Sequence, residues 1–435
     1  MASAARPGTR STRHVDLGRP FRWLWASTAG SNAGDGITRT LLPLLVVAHH
    51  PDPAAVAGLT TVNMLPWLLF ALPAGVLADR VDRRRIVLVS NIIRAAALLG
   101  AMLVLVDDRP LSLLYALAFV LGIAETFADT AAPAMLPRLV DERHLERANG
   151  RLLTAQIVLN EMIGPPVAGL LVGLTAAAAL ATGGVLYALA ALLLLGLAPL
   201  GRTGRDTPQA GARAGVLRDL RGGLGFVLHH RVLRLTMAAS ALYGLVFSAT
   251  FSMLVLLSED TLGLSETGYG LLLTAGSLGA VAGSWLAPRA ADRLPAVRLA
   301  RWSLVASGIA YVGLGLGRHP AWAALALAVN GVFMMGWNIP VMSLRQRLTP
   351  EDLQGRVMSV ARLCSWGTMP LGATFGGLLA EVLSVPAVFV ACGVALIVGA
   401  LALLAPLRGD RTAPAPPSDA PPSEPPPHGD VLNKG

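Results

Sequence analysis

The chain has 435 residues, 54% of them hydrophobic and 14% charged, against roughly 25% charged in an average soluble domain, so it reads as an integral membrane protein. The formal net charge of +9 comes from arginines spread between apolar segments rather than gathered on one polar face, which argues against nucleic acid as a partner. Lys434 is the only lysine, so no phosphate-binding Walker loop is present and ATP hydrolysis by this chain is not expected.

Residues 1–20, with Arg6, Arg10, Arg13 and Arg19, form a basic lead with little expected order. Apolar segments long enough to cross a bilayer follow at about 21–48, 56–78, 86–106, 111–136, 152–174 and 177–199. A polar Gly/Arg-rich linker covers 201–229. Six more spans lie at about 232–257, 268–288, 299–317, 320–344, 356–380 and 385–406, before a Pro-rich tail from 407 to 435 that is too poor in apolar residues to fold. Arginines concentrate in alternate loops, Arg80 to Arg85, Arg138 to Arg151, Arg202 to Arg234, Arg289 to Arg301 and Arg345 to Arg356, while the intervening loops hold one Arg at most. Because basic loops stay in the cytoplasm, both termini are expected there, in an inner (cell) membrane crossed twelve times.

The turn between the second and third spans, Gly75-Val-Leu-Ala-Asp-Arg-Val-Asp-Arg-Arg-Arg-Ile86, is the most informative stretch. Gly75, Leu77, Ala78, Asp79, Arg80, Arg83 and Arg84 resemble the loop signature of the major facilitator superfamily, G-x-L-a-D-R-x-G-R-R. Asp82 stands where most members have Gly, a departure similar to the branch that contains siderophore and macrolide exporters. The resemblance implies an all-α membrane protein of twelve transmembrane helices in two pseudo-symmetric six-helix bundles, here residues 21–200 and 230–406. A weak internal repeat agrees: Pro133-Ala-Met is echoed by Pro340-Val-Met, Gly150-Arg-Leu by Gly355-Arg-Val, and Pro165 by Pro370. In such folds the substrate site lies between the halves near the bilayer midplane.

Charges inside a span cost roughly 2.5–3.5 kcal/mol at the centre by insertion scales, so each needs a reason. Asp35 and Arg39 stand one helical turn apart on the first span and share a face, either as a pair within the helix or as groups facing a cavity. Glu161 follows Asn160 on the fifth span and precedes Gly164-Pro165-Pro166-Val-Ala-Gly169, where missing N–H groups and a missing side chain predict a bend and close packing. That run resembles the Gly-Pro-rich fifth-helix signature of superfamily antiporters. Glu125 and Asp129 share a face of the fourth span. By the resemblance, Asp129 joins Asp79 and Arg83 in a charge cluster, part of a cytoplasmic gate with Gly75, Arg80 and Arg84; Asp79 is expected to hold that gate shut against the start of the eleventh span near Gly355, where the helix dipole favours an anion. Arg94 on the third span is placed to neutralise one of the acids.

Cys364 and Cys392 lie in apolar segments, and all eight histidines lie in loops, tails or span ends. No disulfide framework, metal site or cofactor is expected, and no enzyme motif is present. The expected function is a secondary active transporter, a proton-coupled exporter of a drug-like, siderophore or other amphiphilic molecule, acting as a monomer with protons and the lipid bilayer as its other partners. A metabolite importer or uniporter on the same fold is the first alternative; a non-transporting scaffold or sensor is the second.

Overall fold

In a bilayer an apolar segment satisfies its backbone only by closing its own hydrogen bonds, so long apolar runs fold as helices. The computed structural model describes residues 17–104, 110–141, 144–199, 224–350 and 353–407, and these are helical with no strand among them. The basic lead, most of the linker and nearly all of the Pro-rich tail lie outside the described residues.

The first half consists of α1 (Gly18–His49), α2 (Pro53–Arg80), α3 (Arg83–Val104), α4 (Leu111–Ala131), α5 and α6 (Ala176–Leu195). Helix α5 runs in three pieces, Leu145–Ala155, a π-helical Gln156–Ile163 and Gly164–Leu174. The second half consists of α7 (Arg231–Leu256), α8 (Glu266–Ala291), α9 (Ala296–Leu316), α10 (Pro320–Leu348), α11 and α12 (Val385–Leu404), with α11 divided into Gln354–Trp366 and Met369–Val382.

Ten of these helices are long and apolar enough to cross a membrane by length and composition. The other two have identifiable reasons for falling short. Ser27, Ser31, Asn32, Asp35, Thr38 and Arg39 dilute the apolar character of α1, and α11 is broken at Gly367 and Thr368 just ahead of Pro370. The fourth span ends at Ala131, short of the expected 136, because Pro133 opens a separate 3₁₀ turn through Met135.

Local chemistry sets the ends. The carboxylate of Asp52 accepts from Ala55 N at 2.9 Å, with Pro53 supplying the preset dihedral of the first helical position. Thr175, Ser265 and Ser384 cap α6, α8 and α12 in the same way. The basic turn is only Val81 and Asp82, and Asp82 Oδ1 accepts from Arg84 N at 3.0 Å. The residue that replaces the usual Gly therefore serves as the N-cap of α3, and its carboxylate faces the positive end of that helix.

The packing repeats. In the first half α1 packs on α6 and α5, α3 on α6 and α4, and α2 on α4. In the second half α7 packs on α12 and α11, α9 on α12 and α10, and α8 on α10, the same set advanced by six helices. The halves meet through α5 against α8 and α2 against α11, two pairs that exchange under the same correspondence. These contacts run from the Pro53/Glu266 end of the helices to mid-length. Gly377 lies against Pro53 and Ala54, Thr61 Oγ1 donates to Pro370 O at 3.3 Å and lies 3.0 Å from Thr374 Oγ1, and the rings of Trp67 and Trp366 stand 5.6 Å apart.

Candidate functional site

The charged residues of the first half form two groups, and the pairing differs from the expected one. Asp35 and Arg39 share a helix, but each reaches a different partner. Asp35 Oδ1 lies 3.0 Å from Arg94 Nη1 on α3 and accepts from Tyr187 Oη on α6 at 2.7 Å. The same Arg94 nitrogen donates to Ser31 Oγ at 2.9 Å, and Ser31 donates to Asn91 Oδ1 at 3.2 Å. The guanidinium sits over the Tyr187 ring, 5.1 Å from its centre. Arg94 is fully buried and Asp35 is 6% exposed. This is a buried cluster joining α1, α3 and α6, in which Asp35 pairs across to α3 and α6 rather than with Arg39 on its own helix, while Arg94 Nε and Nη2 and Asn91 Nδ2 have no hydrogen-bond partner among the described residues.

The long guanidine arms explain the switch. Arg39 turns away from its own helix to Glu125 on α4, Nη2 to Oε1 at 2.8 Å, with the arginine side chain 49% exposed and the glutamate 11%. One turn further along α4, Asp129 is exposed, close enough to Glu125, Asp35, Arg94 and Arg39 for their charges to interact. Glu161, half-buried on the π-helical piece of α5, lies within electrostatic reach of Arg39. Arg39 and Arg94 are thus the two cations of one electrostatically linked set, with Arg39 paired directly to Glu125 and Asp129 and Glu161 within its reach.

Small residues make these approaches possible. A side chain at Gly34 would meet the Tyr187 ring at 2.9 Å, which is why α6 comes close enough for its phenol to reach Asp35. A Cβ at Gly36 would stand 2.6 Å from Asn160 O and 2.8 Å from Leu159 O, so α1 packs directly on the backbone of the π-helical piece. Gly164 meets Gly36 from the other side, and Gly169 packs on Glu266 and Thr267 of α8, with Pro165 buried between them. Ahead of the prolines, the fifth span runs in a π-helical register from Gln156 to Ile163. Asn160 is buried there against α1.

At the basic end, Arg83 Nε donates to Ala78 O at 3.1 Å and its Nη1 to Ala134 O, while Arg84 donates to Leu194 O and Leu195 O at 3.1 and 3.3 Å. The two arginines tie the ends of α2, α4 and α6 to the start of α3, satisfying carbonyls that helix ends leave open. Arg80 is exposed at the last turn of α2, and a Cβ at Gly75 would meet nothing within 4 Å. The side chain of Asp79 and the surroundings of Gly355, and with them the expected gate contact, lie outside the described residues.

In the second half, Asn330 donates to Tyr311 Oη at 3.3 Å and Tyr243 packs near Trp337, their rings 6.4 Å apart. Arg301 on α9 stands where Arg94 stands on α3, but the position matching Asp35 is Leu242. Tyr187, Ser31, Asn91, Trp67, Thr274 and Ser277 escaped the sequence reading. Tyr187 had a signal, as the only aromatic residue in a span of Ala, Gly, Thr, Val and Leu.

Twelve long helices among the described residues, in two related halves and ten of them long and apolar enough to cross a membrane, describe a multi-pass membrane protein. The family model described as Major Facilitator Superfamily matches residues 24–369 and 261–433, and the chain belongs to that superfamily. It is 28% identical over 411 residues to the multidrug efflux pump Tap of Mycobacterium tuberculosis, covering 88% of this chain and 92% of that one. It is 23% identical over 403 residues to macrolide efflux protein A of Streptococcus pyogenes, covering 89% and 95%. Among solved structures, a bacterial homologue of the iron transporter ferroportin in an inward-facing state superposes with a TM-score of 0.66 at 19% identity, covering 88% and 98%, a likeness of fold.

Proposed function

We propose that the chain is a proton-coupled exporter of a drug-like or other amphiphilic small molecule, working as a monomer by alternating access. The observation that carries this reading is the Arg39–Glu125 pair, its arginine half-exposed and its glutamate buried, with Asp129 and Glu161 around it. Such a group can gain a proton, release its arginine and change its net charge where a substrate and water reach it. Burial disfavours uncompensated charge, so each protonation biases the balance between open and closed arrangements of the halves. The efflux pumps to which the chain is similar support the direction of transport.

On this reading the arginine-rich ends face the cytoplasm, as the positive-inside rule directs. The contacts from Pro53 to Trp67 and from Glu266 to Ser277 then close the outer side, and the described conformation is inward-facing. Closing the inner side brings α11 toward the open flank of Gly75, with Asp79, Arg80, Arg83 and Arg84 as the gate. Asp35, already held by Arg94 and Tyr187, is a structural anchor in this scheme and does not carry the proton.

The test is efflux driven by a pH gradient in everted vesicles, comparing Glu125→Gln, Asp129→Asn and Glu161→Gln with the wild type. At least one of the three is expected to abolish coupled efflux while leaving the protein in the membrane. Full coupled efflux in all three refutes the assignment.

A further inference from the structure

The junction of α5 and α8 carries a second device. In an α-helix the carbonyl of residue i accepts from the N–H of residue i+4. The partners of Glu161 O and Met162 O are then residues 165 and 166, and both are prolines without an N–H. A π register does not rescue Glu161 O, because its i+5 partner is again Pro166. The helix therefore cannot satisfy these two carbonyls in the α register, and in a membrane an orphaned carbonyl costs several kcal/mol.

The other half of the molecule supplies the donors. Ser277 Oγ lies 2.9 Å from Glu161 O and Thr274 Oγ1 lies 3.0 Å from Met162 O. Both hydroxyls also lie near carbonyls of their own helix, Leu273 O at 3.1 Å and Gly270 O at 3.0 Å. Those carbonyls already have helical N–H partners within α8, whereas Glu161 O has none on α5. The single hydroxyl proton is worth most on the proline-freed oxygen. Gly270 makes the approach possible, since a side chain there would collide with Pro165 O.

We propose that Ser277 and Thr274 are positioning residues for transport, a hydroxyl latch that holds α8 on α5 and fixes the backbone carrying Glu161. The proposal rests on reading the chain as an alternating-access transporter. When the halves part on this side, both bonds break and the two carbonyls need water, so the closed arrangement is favoured until solvent enters the gap. The latch thus links the position of Glu161, in the cavity group, to the state of this interface.

The experiment measures distances between spin labels at Leu174→Cys on α5 and Leu316→Cys on α9, both exposed at the same end of different halves. The background carries Cys364→Ser and Cys392→Ala. Ser277→Ala with Thr274→Val is expected to raise the population at long distance relative to short by on the order of tenfold, the effect of two hydrogen bonds of ordinary net strength. The swap Ser277→Thr with Thr274→Ser keeps both hydroxyls and is expected to restore the wild-type distribution. It also controls for folding. A wild-type distribution in the hydroxyl-free variant, or an equal shift in the swap, overturns the proposal. Efflux is measured on the same preparations. If the wild type moves no substrate while the distances still shift, the exporter reading fails and the latch stands; if the wild type exports and the distances do not respond, the latch alone fails.

Discussion

The knot of Asp35, Arg94 and Tyr187 offers a quantitative test, because its members are buried and its partners are resolved. Asp35→Asn keeps an oxygen for Tyr187 and for Arg94 but leaves the guanidinium, fully buried between α1, α3 and α6, without its directly paired carboxylate. Removing one member of a buried ion pair costs about 3–5 kcal/mol, whereas removing both costs far less, since no uncompensated charge remains. Arg94→Met should be as damaging as Asp35→Asn, and the double variant should be more stable than either single one. Ser31 and Asn91 soften the loss at Arg94 without replacing the charge. The assay is a double-mutant cycle on thermal unfolding in detergent, read alongside yield from the membrane. Two single variants as stable as the wild type, or a double variant whose loss is the sum of the two, would refute the static-knot account of Asp35.

The cap on α3 predicts a graded series: Asp82→Ala should destabilise by about 1 kcal/mol in thermal unfolding while Asp82→Ser stays close to the wild type. Equal losses in both would mean the carboxylate has another duty at the turn between α2 and α3. Gly36→Val should prevent folding or abolish transport, because its side chain must enter space held by the carbonyls of Leu159 and Asn160; surface expression and efflux measured together separate these outcomes, and a fully active variant contradicts the close packing of α1 on α5. At the α2–α11 interface, Trp67→Ala should weaken closure by removing the ring that meets Trp366. Cysteine accessibility at Thr61 should then rise above the wild-type value, and an unchanged value counts against the pair as a closure contact.

Much of the architecture was legible in the sequence because it follows from bulk properties. Apolar length gave the spans, Arg placement gave the alternation of loops, and the echoes of Pro133 in Pro340 and Pro165 in Pro370 gave two halves. A buried guanidinium requires an acid, so Arg94 reads from the sequence as a neutralising cation. Its partner was not legible: Asp35 and Arg39 share a helical face, and only the three-dimensional packing shows that each side chain reaches across to a different helix. The π-helical register of Gln156–Ile163 also left no clear trace in hydrophobic periodicity. The adjacent Pro165 and Pro166 did announce two carbonyls in need of donors, but which helix supplies them is a matter of tertiary contact. The break of α11 at Gly367 and Thr368 was obscured because its two pieces together have the length of one span.

The most direct test of the account is exchange itself, with purified protein in liposomes loaded with a pH-sensitive dye and challenged with macrolides, lipophilic cations and siderophores. The account predicts that at least one compound drives proton movement in the opposite direction, and that Glu125→Gln, Asp129→Asn or Glu161→Gln eliminates it while Asp35→Asn/Arg94→Met retains it. Substrate transport by the wild type with no accompanying proton movement, or coupling that survives in all three acid variants, would contradict it.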